Sequence, residues 1–147
     1  MGFARFTVSA IYRQPLKYIL SVDPETNGRI FSCLTWATYL KNWDGPSPGQ
    51  RPTPYIVILI DETITKDWWR DDGIIAQTIL LGMVEKGLGA CIIGGIQKER
   101  LRRDLGIPDL VRVRLVLALG KPAKTVVLED LDLGGDIRFF QHGKTPN

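Results

Sequence analysis

The sequence predicts a one-domain α/β or α+β sandwich, and three observations carry that expectation. Tyr55–Ile60 is apolar on both faces, as a central strand is. A helix-length run from Asp71 or Asp72 to about Lys86 is apolar on nearly every side. Strand-like and helix-like segments alternate along 147 residues with no domain linker, repeat or low-complexity tract between them.

Residues 1–14 show no clear period. Leu16–Val22 is rich in apolar and aromatic residues and reads as a first strand. Asp23 can cap a helix and Pro24 suits its first position, so a helix is predicted to about Leu34, with Gly28 inside it. Residues 35–54 hold Trp36, Tyr39 and Trp43, then Pro46, Pro48, Pro52 and Pro54 with Gly45 and Gly49, which makes a loop. Tyr55–Ile60 follows as the central strand. In the next helix Ile74, Ile75, Ala76, Ile79, Leu80, Leu81, Met83 and Val84 cover nearly every side, more than one sheet face can bury. A partner chain is therefore expected to cover part of it. Gly87 is a candidate left-handed C-cap. Ala90–Ile93 reads as a short buried strand. Gln97–Leu105 reads as a helix stopped by Gly106 with Pro108 beyond it. Val111–Leu119 reads as a strand that starts half exposed, at Arg112 and Arg114, and ends buried. From Gly120 onward no strong period is present.

Composition narrows the function classes. The formal net charge is +3, and the basic residues are scattered. The local cluster Lys98–Arg103 reads as a solvated helix face with Glu99 and Arg103 paired, so nucleic-acid binding is disfavoured. No stretch has the length of a membrane span, and residues 1–14 hold no apolar signal core. A cytoplasmic location is expected. Cys33 and Cys91 both lie in apolar surroundings and are expected to be buried free thiols. With His142 as the only histidine, neither a Cys/His metal set nor a histidine-based triad is expected.

Two segments are candidates for chemistry. Gly87-Leu88-Gly89-Ala90-Cys91-Ile92-Ile93-Gly94-Gly95 is rich in glycine but fails the dinucleotide fingerprint. The third glycine would fall at Ile92, and the glycines follow a helix and precede a strand rather than the reverse. Gly94-Gly95 can be a tight turn, or a place where bare backbone N–H groups approach a flat ring. The segment Ser9-Ala10-Ile11-Tyr12-Arg13-Gln14-Pro15 places three polar side chains just before the first strand, where they could bind a polar ligand or form an ordinary loop. Trp36, Tyr39, Trp43, Trp68 and Trp69 could line a pocket, with packing under the proline-rich loop or in an interface the favoured reading.

Taken together these pieces resemble the flavin-dependent nitroreductase-like family. Ser9 to Pro15 is similar to its Ser-x-x-Asn-x-Gln-Pro segment. The resemblance continues through Leu34-Thr35-Trp36-Ala37, Tyr39 to Pro46, Arg51-Pro52, Ala76 to Leu81, Gly87 to Cys91 and Ala118 to Pro122, from about Ala4 to Phe140. It implies an α+β nitroreductase-like sandwich, with a central mostly antiparallel sheet flanked by helices, as a single domain over residues 1–147 and a homodimer. It implies FMN at the interface, with a hydride taken from NAD(P)H and electrons passed to nitroaromatics, quinones or similar small acceptors. The cofactor-binding residues it implies are Ser9, Arg13, Gln14, Ile93, Gly94 and Gly95, the first three often serving the partner's cofactor. No catalytic side chain is assigned and no metal is expected.

The chain departs from the family pattern in three places. Tyr12 stands where the family has asparagine. The family's arginine-rich opening and its C-terminal basic pair have no clear equivalents, Lys144 being the nearest candidate, so the member reads as shortened at the N-terminus and at the C-terminus. Both missing motifs contact the FMN phosphate in the family, and charge-assisted contacts contribute about 1.5–3 kcal/mol each, so FMN is predicted to bind weakly or not at all. The alternative is a non-catalytic remnant or dimeric binding protein with the same fold.

Overall fold

A computed structural model describes residues 2–37, 43–67, 70–123, 125–128 and 130–135. The expectations placed on Tyr39, Trp68, Trp69, His142 and Lys144 lie outside the described residues. The elements in chain order are α1 (Gly2–Arg5), a 3-10 turn (Ala10–Tyr12), β1 (Leu16–Ser21), α2 (Pro24–Ser32), β2 (Tyr55–Asp61), α3 (Asp71–Val84), β3 (Gly89–Ile93), α4 (Lys98–Asp104) and β4 (Val111–Gly120).

The four strands form one sheet in the order β1-β2-β4-β3, and every neighbouring pair is antiparallel. Tyr55 to Ile60 of β2 are all buried, because the strand lies inside the sheet and has a layer on each face. Tyr55, Val57 and Leu59 face α2 and α4, where they pack with Ile30, Cys33, Leu34, Leu101 and Ile107. Ile56 and Ile58 face α3, where they pack with Ile75, Ala76 and Ile79. This is the period-2 alternation of a strand buried on both sides.

Strand β4 supplies the same two layers with one change of register. Val113, Val116 and Ala118 join the α2/α4 layer, while Leu117 and Leu119 join the α3 layer. Positions 113 and 116 share a face only if the alternation slips once. It does so where Ile58 pairs with Leu115 and Leu59 with Val113, which leaves Arg114 as the extra residue of a β-bulge.

The helices start and stop for local reasons. The Asp23 carboxylate accepts from the Thr26 N–H at 2.7 Å, and Pro24 occupies the first turn of α2. Asn27 anchors α2 by accepting from the Ser21 hydroxyl at 2.7 Å and donating to the Thr53 carbonyl. Asp71 and Asp72 stand in the first turn of α3, where the helix dipole favours negative charge. Gly87 closes α3 at φ +69°, with the Leu88 N–H donating to the Met83 carbonyl at 2.9 Å.

Several sequence expectations are corrected. Residues 1–14 are not featureless, since they hold α1 and the 3-10 turn. Strand β3 is only partly buried: it is an edge strand among the described residues, with Cys91 and Ile92 exposed and Ile93 in the core. Cys91 is therefore an exposed thiol, while Cys33 is buried as expected; neither is in a disulfide. Glu99 pairs with Arg102 at 3.2 Å, one residue short of Arg103, and the same guanidinium meets Asp109 beyond the helix at 2.5 Å. Helix α3, by contrast, agrees with its expectation of more apolar surface than one sheet face can bury: Ile75, Ala76 and Ile79 face the sheet, and Ile74, Leu81 and Val84 are exposed.

Tyr55 is fully buried and its hydroxyl meets no partner among the described residues. Burial pushes its phenol up to about 12, against the pull of the Arg51 charge. Such a hydroxyl contributes little, so Tyr55→Phe is expected to leave stability unchanged or raise it by about 1 kcal/mol. The raised pKa gives a pH signature. The unfolded phenol ionises near 10.0 and the folded one near 12, so wild-type stability falls as pH rises between those values, and the phenylalanine variant escapes that fall. Urea unfolding at pH 8 and pH 11 measures both effects. A loss of more than about 2 kcal/mol at pH 8 would show that the hydroxyl has a partner after all.

Candidate functional site

The antiparallel order brings four chain connections to one end of the sheet. Strand β1 begins there, opposite the end of β2, with Leu16 paired to Ile60. Strand β4 begins there, with Val111 paired to Asp61, and β3 ends there, with Ile93 paired to Val116. The segment Ser9–Gln14, the connection from β2 to α3 and the turn Gly94-Gly95 therefore share this end.

The N-terminal segment is bent against its own preference. Ile11, Tyr12 and Gln14 have φ of +53°, +56° and +48°. Non-glycine residues pay for that region in steric crowding, at about 1–3 kcal/mol each, and a β-branched isoleucine there is an outlier. Contacts from the first turn of α3 and from the β2–α3 connection hold the bend. The Ser9 hydroxyl donates to the Asp71 carboxylate at 2.6 Å, and the Ala10 N–H donates to both its oxygens at 3.1 Å. The same Ser9 oxygen accepts from the Gln14 N–H at 3.0 Å. The Arg13 guanidinium donates to the buried Thr65 hydroxyl at 2.9 Å. Ile11 and Tyr12 project into solvent.

The two glycines of the turn differ. Gly95 is packed: its carbonyl accepts from the Thr35 N–H at 2.8 Å, and a Cβ there would lie 3.1 Å from Thr35 Cβ. At Gly94 the nearest atom to an added Cβ is Leu115 Cδ2 at 3.9 Å, and φ is not positive. Nothing inside the fold requires glycine at position 94. Both glycines are exposed, and among the described residues no acceptor takes either N–H. Ile93 is buried in the core beside them, so only its backbone can face a ligand.

The first turn of α3 ties these parts together. Asp72 holds the bulge residue Arg114 through a single oxygen, Oδ2, which both Nε and Nη2 meet at 3.0 Å in a charge-assisted contact. Leu115, next in the chain, is the residue beside Gly94. Burial, and secondly the Asp71 charge, push the Tyr18 phenol above its ordinary value, which places Asp71 close to β1 as well. An open groove beside α3 is lined by Arg70, Asp72, Ile74, Gln77, Leu81 and Arg114 among others.

Ser9, Arg13 and Gln14 precede one edge strand, β1, and Ile93, Gly94 and Gly95 close the opposite edge strand, β3, with both groups toward the same end of the sheet. No hydrogen bond among the described residues joins Ser9–Gln14 directly to the glycine turn. The sequence reading missed Thr65, Asp71, Asp72 and Arg114 as members of this region. The paired aspartates and the Arg112/Arg114 alternation were visible as a helix start and a half-exposed strand, but nothing local links them to residue 9. Trp36 packs as the bland reading held. Its ring lies 5.2 Å from Phe31, Arg51 covers Phe31 at 4.0 Å, and Gly45 presses on the indole so closely that a Cβ would sit 2.6 Å from it.

Comparison with known proteins gives a consistent picture. A model of the nitroreductase family matches residues 34–121. No curated protein sequence matches the chain. Among solved structures, an FMN-dependent nitroreductase from Clostridium difficile is similar at 23% identity and TM-score 0.71, over 95% of this chain and 82% of that one. A nitroreductase family protein from Clostridium novyi NT is 22% identical with TM-score 0.70, over 82% of this chain and 69% of that one. An NADPH:FMN oxidoreductase from Vibrio harveyi, complexed with NAD+, is 19% identical with TM-score 0.69, over 95% of this chain and 66% of that one.

The glycine geometry sets an order of tolerance. Gly94→Ala fills open space and is expected to change unfolding free energy by no more than about 0.5 kcal/mol. Gly95→Ala forces Thr35 to move and is expected to destabilise by about 1–3 kcal/mol. Urea denaturation of the two variants reads the difference directly; equal costs, or the reverse order, would contradict this account of the turn.

Proposed function

The chain belongs to the nitroreductase family, and from that premise we propose that it is an FMN-dependent NAD(P)H oxidoreductase working as a homodimer of single domains. Its acceptors on this reading are nitroaromatics, quinones or similar small molecules. The observation that carries the proposal is Gly94, an exposed glycine at the end of β3 with no internal reason to be glycine. A side chain there would fill the space from which a flat ring can approach the backbone.

The residues present fit the cofactor at its ring. Two adjacent N–H groups at Gly94 and Gly95, without acceptors among the described residues, suit the polar edge of an isoalloxazine. Bound FMN would supply the redox chemistry, accepting reducing equivalents from NAD(P)H and passing them to the acceptor. The protein's own part is to position and to exclude. Ile93 fixes the turn in the core, Gly94 and Gly95 offer donors, and Arg13 and Gln14 offer polar side chains at the same end of the sheet.

Two features favour a dimer. Ile74, Leu81 and Val84 form an exposed apolar strip on α3. Val126, Leu128 and Leu133, beyond β4, are likewise exposed. Large apolar side chains gathered this way suit burial against a second copy, and a second copy would bring its own Ser9–Gln14 segment toward the first copy's ring site. Among the described residues no helix is long and apolar enough to cross a membrane. A cytoplasmic location completes the proposal.

Titration of the purified protein with FMN, followed by flavin fluorescence, tests the reading together with light scattering. Saturable quenching at one FMN per protomer is expected, on a particle of twice the protomer mass. Gly94→Ala is expected to weaken binding by about tenfold, the equivalent of one lost hydrogen bond. No saturation at millimolar FMN, or an unaffected Gly94→Ala, would defeat the proposal.

A further inference from the structure

The bent segment Ser9–Gln14 is not stabilised by its own turn. Three of its residues sit in the left-handed region, two large apolar ones point into solvent, and its internal bonds are those from Tyr12 N–H to the Ser9 carbonyl, Arg13 N–H to the Ala10 carbonyl and Gln14 N–H to the Ser9 hydroxyl. What fixes it comes from more than 50 residues away. We propose that Asp71 is the positioning residue of this segment. Its carboxylate latches Ser9 and Ala10 onto the first turn of α3 and so sets where Arg13 and Gln14 stand at the ligand end of the sheet.

The chemistry of Asp71 supports this. The side chain is buried, and its hydrogen-bond partners among the described residues are in the segment: the Ser9 hydroxyl and the Ala10 N–H. Its neighbour Asp72 takes Arg114 instead, so the two adjacent carboxylates divide the work. One anchors the helix to the sheet, the other anchors the N-terminal segment to the helix. The Ser9 hydroxyl meets this carboxylate at 2.6 Å, and the Ala10 N–H reaches both its oxygens. The latch then propagates through one oxygen. Ser9 Oγ donates to Asp71 and accepts from the Gln14 N–H, so a single hydroxyl pins both ends of the bend. Thr65, from the β2–α3 connection that precedes Asp71, holds the Arg13 side chain.

The direction of the pull matters. Asp71 lies beside Asp72, Asp72 grips Arg114, and Leu115 lies beside Gly94. The latch therefore draws the segment from the β1 edge toward the strand that borders the glycine turn. That this placement serves a ligand rests on the flavin reading above; the latch itself does not.

The test uses Asp71→Ala and Ser9→Ala in the full chain, with Ser9→Thr as the conservative variant that keeps the hydroxyl. Hydrogen exchange of the amides of Ala10, Tyr12, Arg13 and Gln14 reads the latch without any flavin. Both alanine variants are expected to speed exchange at all four amides by about tenfold or more, as local opening does, while Ser9→Thr restores protection. Acceleration at Ala10 alone would overturn the proposal, because it would mean that Asp71 holds one bond and not the bend. FMN titration supplies the second arm. Each alanine variant is expected to weaken FMN by about tenfold and the double variant no further, since both remove one coupled device. Additive losses would overturn a role through Ser9. If the wild-type protein takes up no FMN, the flavin reading falls, and the exchange arm still decides the latch. Ser9→Ala guards against loss of fold, since it leaves the Asp71 helix start in place.

Discussion

Burial on both faces of β2 is the constraint from which the rest of the structure follows. Six consecutive side chains, Tyr55 to Ile60, are removed from water. At about 1.5–3 kcal/mol for each large apolar side chain, their gross contribution is comparable to the whole net stability of a domain. A strand of this kind needs a neighbour on each side and a layer on each face. β1 and β4 supply the neighbours; α2 with α4, and α3, supply the layers. The β4 bulge at Arg114 then follows as the slip that lets Val113 and Val116 share one layer while Leu117 and Leu119 fill the other.

The bulge does more than correct a register. It turns Arg114 toward the first turn of α3, where one oxygen of Asp72 receives two of its nitrogens. One residue earlier, Asp71 receives Ser9 and Ala10. The start of α3 is thus a junction between the sheet and the N-terminal segment, and because the sheet is antiparallel throughout, the glycine turn after β3 emerges at the same end. The candidate site is a consequence of strand order together with two adjacent carboxylates.

Much of the fold was legible because each strand and helix carries its own period or its own caps. Asp23 and Pro24 announced α2, Gly87 closed α3, Gly106 closed α4, and the unbroken apolar run at Tyr55 announced a central strand. What was not legible depends on residues far apart. The exposure of Cys91 and Ile92 follows from β3 lying at the sheet edge, and an apolar pentapeptide reads the same at an edge as in the centre. The bend at Ile11 and Tyr12 could not be foreseen, since local sterics disfavour it and Asp71 is what sustains it. In the site, the glycine pair was legible as a turn with a second use. The sequence could not say that Gly95 answers to Thr35 while Gly94 answers to nothing within the fold. The roles of Ser9, Arg13 and Gln14 came from family resemblance, and the sequence held no hint that the Ser9 hydroxyl serves Asp71 and Gln14 first.

The central claim is that the latched segment and the glycine turn belong to one ligand site. Backbone amide chemical-shift mapping during FMN addition tests it most directly. The account predicts that Gly94, Gly95 and the amides from Ala10 to Gln14 shift together, with one common saturation curve. Shifts confined to the groove along α3, or glycine and segment amides that respond with separate affinities, would contradict it.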